Sequence, residues 1–198
     1  MVYILIKLTL KIITNMKRNL LILALLFSSV ALLAQENMFT LSGGYVFTNV
    51  EEVDENADGF RINGLYEYNP QGGRFAHGAS LGYIRTTATN TVGAQTSEYT
   101  LTSFPLYYAP KVLFGKESIK GFIKGALGAH YSGYKRTGAL GELDTWDFGF
   151  YGGASLGIMK SFKEKMFVNL EYEWAYLSNS AYRDGFVNSI MGGIGIKF

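Results

Sequence analysis

From Met38 to the last residue, apolar side chains recur at every second position in stretch after stretch, and no segment sustains the three-to-four-residue spacing of an amphipathic helix. In 145–162 the even positions Trp146, Phe148, Phe150, Ala154, Leu156 and Ile158 are apolar. The odd ones are Asp147, Gly149, Tyr151, Gly153, Ser155 and Gly157. The next stretch sets Val168, Leu170, Tyr172, Trp174 and Tyr176 against Asn169, Glu171, Glu173 and Ala175. In 119–134, Ile123, Leu127, Ala129 and Tyr131 oppose Lys120, Lys124, Gly128, His130 and Ser132, with Phe122 out of phase. Successive side chains of a strand point to opposite faces, so one face is bulky and apolar and the other small or charged. The spacing predicts eight strands, at 38–47, 60–68, 75–87, 98–114, 119–134, 145–162, 166–177 and 186–198.

The connections alternate in kind. Segments 69–74, 115–118 and 163–165 are short, whereas 49–59, 88–97, 135–144 and 178–185 are longer and polar. An even number of strands joined by alternating short turns and long loops predicts an all-β fold, an eight-stranded antiparallel up-and-down transmembrane β-barrel with both chain ends on the short-turn side. A soluble barrel would have to pack its bulky face inside, yet eight strands enclose a space only just wide enough for side chains to fill. Turned outward, the same face makes a lipid-facing band, and glycine, serine, alanine and a few charges fill the lumen.

Aromatic residues cluster at both strand ends. Phe47, Phe60, Tyr83, Tyr99, Tyr131, Trp146, Trp174, Tyr176 and Phe186 lie near the long loops; Phe39, Tyr68, Phe75, Phe114, Phe162 and Phe198 lie near the short turns. Strand preference alone accounts for aromatics anywhere along a strand. Two clusters at opposite ends predict girdles at the two membrane interfaces.

The beginning of the chain reads differently. Met16-Lys17-Arg18-Asn19 is a basic start, 20–33 an apolar run too short to span a bilayer, and Ala34 a small residue at an expected cleavage point. Residues 1–34 are therefore expected to be a signal peptide with Met16 its true start, and 35–198 the barrel domain. Of the 18 basic residues, Lys7, Lys11, Lys17 and Arg18 belong to that leader, which carries no acid. The remaining 14 basic and 16 acidic residues give a slightly acidic domain with no basic patch for nucleic acid. Cysteine is absent, which removes disulfide and thiolate chemistry.

The alternation, the strand number, the terminal Phe198 and the segment Ser103-Phe104-Pro105-Leu106-Tyr107-Tyr108 together resemble the OmpA/OmpX-type small outer-membrane barrels, in particular the Bacteroidetes-type outer membrane protein beta-barrel domain. The resemblance spans the whole expected mature chain. It implies residence in outer-membrane lipid beside lipopolysaccharide, and delivery by the barrel-assembly machinery with Phe198 as insertion signal. It leaves activity open.

Candidate chemistry is sparse. Arg61, Glu67, Lys120, Lys124, Asp147, Glu171 and Glu173 fall on inward positions, where charges must pair or be hydrogen-bonded. A structural network is the preferred reading over a constricted ion path, because eight strands leave little bore. His130-Tyr131-Ser132 with Glu142 is similar to the His-x-Ser plus Glu of PagL-type lipid A deacylases, which implies a serine nucleophile, a histidine base and an orienting acid. The strand parity turns His130 and Ser132 inward, however, Gly133 replaces the asparagine that follows in that family, and Glu142 falls in a loop. Asp54, Asn56 and Asp58 before Gly59 match the first half of a calcium loop, but the twelfth position is Leu65, so an acidic solvated loop is the simpler reading. The expectation is a non-enzymatic barrel without cofactor, acting through external loops in envelope integrity or surface binding to an extracellular ligand that the sequence does not identify. A lipid-modifying enzyme and a narrow pore are the alternatives.

Overall fold

The computed structural model describes residues 37–52, 55–70, 73–115, 118–138 and 141–198. The expected leader 1–34, its start at Met16 and the candidate ligand Asp54 lie outside the described residues. The domain is a meander of eight strands, β1 (Asn37–Val50), β2 (Glu55–Tyr68), β3 (Phe75–Val92), β4 (Gln95–Phe114), β5 (Ile119–Gly138), β6 (Leu143–Lys163), β7 (Met166–Leu177) and β8 (Tyr182–Lys197). Each pairs antiparallel with its neighbours, and β8 returns to β1 to close the barrel. The last rung joins the ends of the domain: Asn37 N donates to Phe198 O at 3.0 Å and Phe198 N to Asn37 O at 2.9 Å. Closure removes every lipid-exposed sheet edge, which hydrocarbon demands because it offers backbone groups no partner.

The period-two pattern decides the faces. Leu81 and Leu156, at 61% and 62% exposed, stand with Leu41, Leu106, Leu127 and Ile194 in an outward apolar band. In water such a surface would be a large exposed patch; in a bilayer it is the solvated face. Inside, Val46, Ile84, Leu101, Leu177 and Val187 pack at the long-hairpin end, and Met38, Leu113, Phe122, Met159 and Phe167 at the short-turn end. Phe122, out of phase by composition, is in phase by direction: it points inward and is fully buried. Gly157 across the β5–β6 ladder makes the room, since a Cβ there would stand 2.4 Å from the Phe122 ring.

Two expectations are corrected. The described parts of the expected loops 49–59, 88–97 and 135–144 are largely laddered hairpin extensions, with Asn49 opposite Asn56, Thr89 opposite Glu98, Asn90 opposite Ser97 and Arg136 opposite Leu143. The β3–β4 hairpin turns on Gly93, whose φ of +65° suits a residue without a side chain. Alternation stops where lipid stops, because neither face there needs to be apolar, and the backbone ladder simply continues. β3 to β6 therefore run 18 to 21 residues, whereas β7 has 12; spanning takes about 9–11. The second correction is Tyr99, which is fully buried inside, its ring 6.2 Å from that of Tyr134, rather than part of the outer girdle. The girdle instead runs as neighbouring rings Phe60, Tyr83, Phe104, Trp146 and Tyr131, with centroids 5.0–6.3 Å apart.

Candidate functional site: a sealed lumen and an acidic mouth

Inward positions of β2, β4, β5 and β7 bring six charges together in the barrel interior. Arg61 Nη1 lies 2.5 Å from Glu173 Oε1, Lys124 Nζ 2.5 Å from Glu171 Oε1 and 3.5 Å from Glu173 Oε2, and Lys111 Nζ 2.6 Å from Glu67 Oε1. All six side chains are buried. Three cations meet three carboxylates, so the cluster is neutral. Tyrosines complete it: Arg61 Nη2 donates to Tyr107 Oη at 3.1 Å, Tyr107 donates to Asn63 Oδ1 at 3.3 Å, Tyr151 donates to Glu173, and the two tyrosine rings stack at 4.9 Å. Lys111 also sits 4.6 Å over the Phe122 ring. Taking these charges out of water costs several kcal/mol per ion, which the pairing offsets in part.

Five of the seven predicted lumen charges are in these pairs. Lys120 stands half-buried at the short-turn rim and Asp147 is exposed at the opposite mouth; neither makes an ion pair among the described residues. The barrel end is open to solvent at both positions, so inward parity there does not mean burial. Lys111 was missed, although it shares the parity of Ser103 and Tyr107, because it is the lone charge on β4's inward face and lies close to a turn.

Above the ion cluster runs a chain of hydroxyls. His130 Nδ1 lies 2.6 Å from Ser132 Oγ, Ser132 Oγ 2.7 Å from Ser103 Oγ, and Ser103 Oγ 3.3 Å from Tyr182 Oη. His130 Nε2 donates to the Ser178 carbonyl at 2.7 Å. Gly149 permits that contact, since a Cβ there would stand 2.2 Å from Ser178 O and 2.5 Å from His130 Nε2. Glu142 is exposed beyond β6 and does not join His130 and Ser132. A neutral carbonyl occupies the place of the orienting acid. It fixes the ring but supplies no charge to stabilise an imidazolium.

The mouth is laced shut on one side. The β1–β2 turn reaches across it: Glu52 accepts from Tyr134 and pairs with Arg136 on β5, and Glu51 N donates to Ala181 O at 3.1 Å. Burial, reinforced by the Glu52 carboxylate, pushes the Tyr134 phenol well above its ordinary value. Between this strap and β6 lies a cavity of about 450 Å³ lined by Ser103, Ser132, Tyr134, Asp147, Asn179 and Tyr182 among others. Asn56 and Asp58 are exposed on the extended backbone of β2, opposite Ala57's buried side, so no loop forms there to wrap an ion. Among the described residues no group of three or more His, Asp or Glu is placed to hold a metal.

Charge is distributed unequally along the axis. Among the described residues the segments at the long-hairpin end hold Glu51, Glu52, Glu55, Asp58, Glu98, Glu142, Asp144, Asp147 and Asp184 against Arg85, Lys135, Arg136 and Arg183. Short-turn segments lean basic among the described residues, with Arg74, Lys120, Lys160, Lys163, Lys165 and Lys197 against Glu164.

A closed eight-stranded meander with an outward apolar band and a packed polar lumen is what the family comparison also finds: residues 20–198 match the model of the outer membrane protein beta-barrel domain. The chain belongs to that family. It is an integral outer-membrane β-barrel. Among solved structures, the barrel is similar to Neisserial surface protein A, with 14% identity over 82% of this chain and 97% of that one and a TM-score of 0.57. Ail, the attachment invasion locus protein of Yersinia pestis, is similar at 17% identity over 83% and 100%, with a TM-score of 0.53. Ail in complex with the heparin analogue sucrose octasulfate is similar at 19% identity and a TM-score of 0.50. At these identities the likeness is one of fold. No curated protein matches the chain.

Proposed function

We propose that this outer-membrane barrel is non-enzymatic and works as a rigid surface-interaction protein, presenting its external hairpins to a partner outside the cell. The observation that carries this reading is the surplus length of β3 to β6, 18 to 21 residues where about 9–11 cross the bilayer. A four-stranded ramp projects as hydrogen-bonded sheet rather than as loose loop, so little ordering entropy is lost when it binds. The neutral, buried ion cluster supports the absence of a conducting path. An enzymatic role gains little support: the His130–Ser132 pair faces the lumen mouth, away from lipid, and lacks its acid.

The ramp's chemistry shapes the choice of partner. Sucrose octasulfate, the anion held by Ail in one of the similar structures, would meet Glu98, Glu142, Asp144 and Asp147 against Arg85, Lys135 and Arg136 on the ramp, with Glu51, Glu52, Glu55, Asp58 and Asp184 against Arg183 on the rest of the same end. Like-charge juxtaposition of that kind costs affinity and on-rate. Cationic surfaces and partners are favoured instead. Export by the 1–34 leader, insertion by the barrel-assembly machinery through Phe198, and seating in outer-membrane lipid with lipopolysaccharide complete the reading.

The test is a barrel whose tips at 88–97 and 135–144 are each replaced by a two-residue Asn-Gly turn. The shortened barrel loses two cations with two carboxylates and keeps its net charge, so a second barrel that keeps the tips and carries Glu98→Gln, Glu142→Gln and Asp144→Asn reads charge apart from reach. Both should keep their heat-modifiable gel mobility and lose adhesion of expressing cells to a polylysine-coated surface relative to the full chain. Equal adhesion by the shortened barrel and the full chain would remove the hairpins from the function.

A further inference from the structure

The mouth cavity has a hydrogen-bonding polarity that no role above uses. Ser132's one hydrogen goes to Ser103 at 2.7 Å or to His130 at 2.6 Å, Tyr134 gives its hydrogen to Glu52, and Ser180 donates to Leu177 O at 2.7 Å. Asn179 gives one of its two amide hydrogens to Phe148 O at 3.3 Å. Ser132, Tyr134 and Ser180 therefore offer the cavity acceptor oxygens, while the second Asn179 amide hydrogen and the Thr145 hydroxyl remain as donors there. Asp147 adds a carboxylate: its side chain lies on the inward face of β6, is exposed at the cavity wall, and makes no ion pair among the described residues. Below, the ion cluster closes the lumen, so the cavity ends blind.

A pocket rich in acceptors with one unpartnered carboxylate selects a ligand rich in N–H donors and carrying positive charge. We propose that this cavity binds a small organic ammonium, of the size and class of an amino sugar or a short polyamine, with Asp147 as counter-ion and the Asn179, Ser180 and Tyr134 oxygens as further acceptors. The volume of about 450 Å³ admits a molecule of that size. A single carboxylate is a poor cage for a hard divalent cation, which takes six or more oxygen ligands when it is calcium. The site lies on β5, β6 and the turn before β8, beneath the hairpin tips, so it is separable from the tip-mediated binding proposed above.

The experiment uses the full 35–198 barrel refolded in zwitterionic detergent, titrated separately with glucosamine, putrescine, N-acetylglucosamine and calcium chloride and read by isothermal titration calorimetry. Saturable binding of glucosamine or putrescine, at least about tenfold tighter than N-acetylglucosamine, is expected. Asp147→Asn and Asp147→Ser should each lose about tenfold or more of that affinity while keeping the heat-modifiable band. A barrel shortened at 88–97 alone, a segment that shares no residue with the cavity or the Glu52 strap, should bind the amine as the full chain does, so that failure of the hairpin reading and failure of this one give different results. Equal affinity for the N-acetylated sugar, unchanged binding by both Asp147 variants, or saturation by calcium with no response to amines would each overturn the proposal.

Discussion

Glu173→Gln tests whether the lumen is a dry, charge-balanced plug. The substitution keeps the shape and removes one of three buried carboxylates, leaving Arg61, Lys111 and Lys124 against Glu67 and Glu171. Lys124 still has Glu171 at 2.5 Å, but Arg61 loses the carboxylate it held at the same distance and keeps only the Tyr107 hydroxyl at 3.1 Å. Removing one partner of a buried pair costs about 3–5 kcal/mol, because the other charge is left uncompensated. The folding equilibrium should shift by roughly two to four orders of magnitude. Replacing both partners, Arg61→Met with Glu173→Leu, should restore most of that loss, since a buried pair exchanged for apolar groups of similar volume is often neutral or better. The assay is reversible urea unfolding in lipid vesicles, read by tryptophan fluorescence and by the fraction of heat-modifiable band. A cost below about 1 kcal/mol for Glu173→Gln, the range of a solvent-exposed pair, would show that water reaches the cluster. The closed-lumen reasoning would then fail, and planar-bilayer recordings of the wild-type barrel, expected to be silent, should show conductance.

Other perturbations probe other parts of the molecule. Leu156→Arg, in the outward band, should cost about 2–4 kcal/mol in vesicles, whereas Phe47→Arg near the interface should cost no more than about 1 kcal/mol; equal costs would displace the membrane plane from between the two girdles. Gly149→Ala should detach the Ser178 turn from His130, destabilising by about 1–3 kcal/mol and raising amide exchange at 178–180. Gly192→Ala, whose added Cβ would stand 3.9 Å from Asn169 O, should change stability by less than about 0.5 kcal/mol in the same measurement. Deleting Phe198 removes the closing rungs with Asn37 and should lower the outer-membrane fraction of expressed protein; unchanged yield would take the terminal residue out of assembly.

The strand number, their order and the inside-out burial were legible in the sequence because lipid enforces a strict rule. Within the bilayer every outward position must be apolar, so Trp146, Phe148, Leu156 and Ile158 announce both their strand and its orientation. The same rule placed Arg61, Glu67, Lys124, Glu171 and Glu173 inside. It said nothing where lipid ends, which is why 88–97 and 135–144 read as loops, Tyr99 as girdle and Asp147 as lumen. Out there the backbone pairs without any demand on side-chain polarity, and parity no longer reports burial.

Pairing is a different kind of information. Which cation meets which carboxylate depends on strand stagger around a closed circumference, and no period along the chain encodes it: Arg61 and Glu173 are 112 residues apart, as are no alternating neighbours in sequence. Lys111 entered the cluster, Phe122 found its space over Gly157, and Glu52 strapped the mouth to Tyr134 only once closure fixed the register. By itself the sequence determined a membrane barrel and its faces, since hydration acts on each residue separately. The sealed lumen and the acceptor-lined mouth were decided by tertiary structure, because they arise from distances between strands.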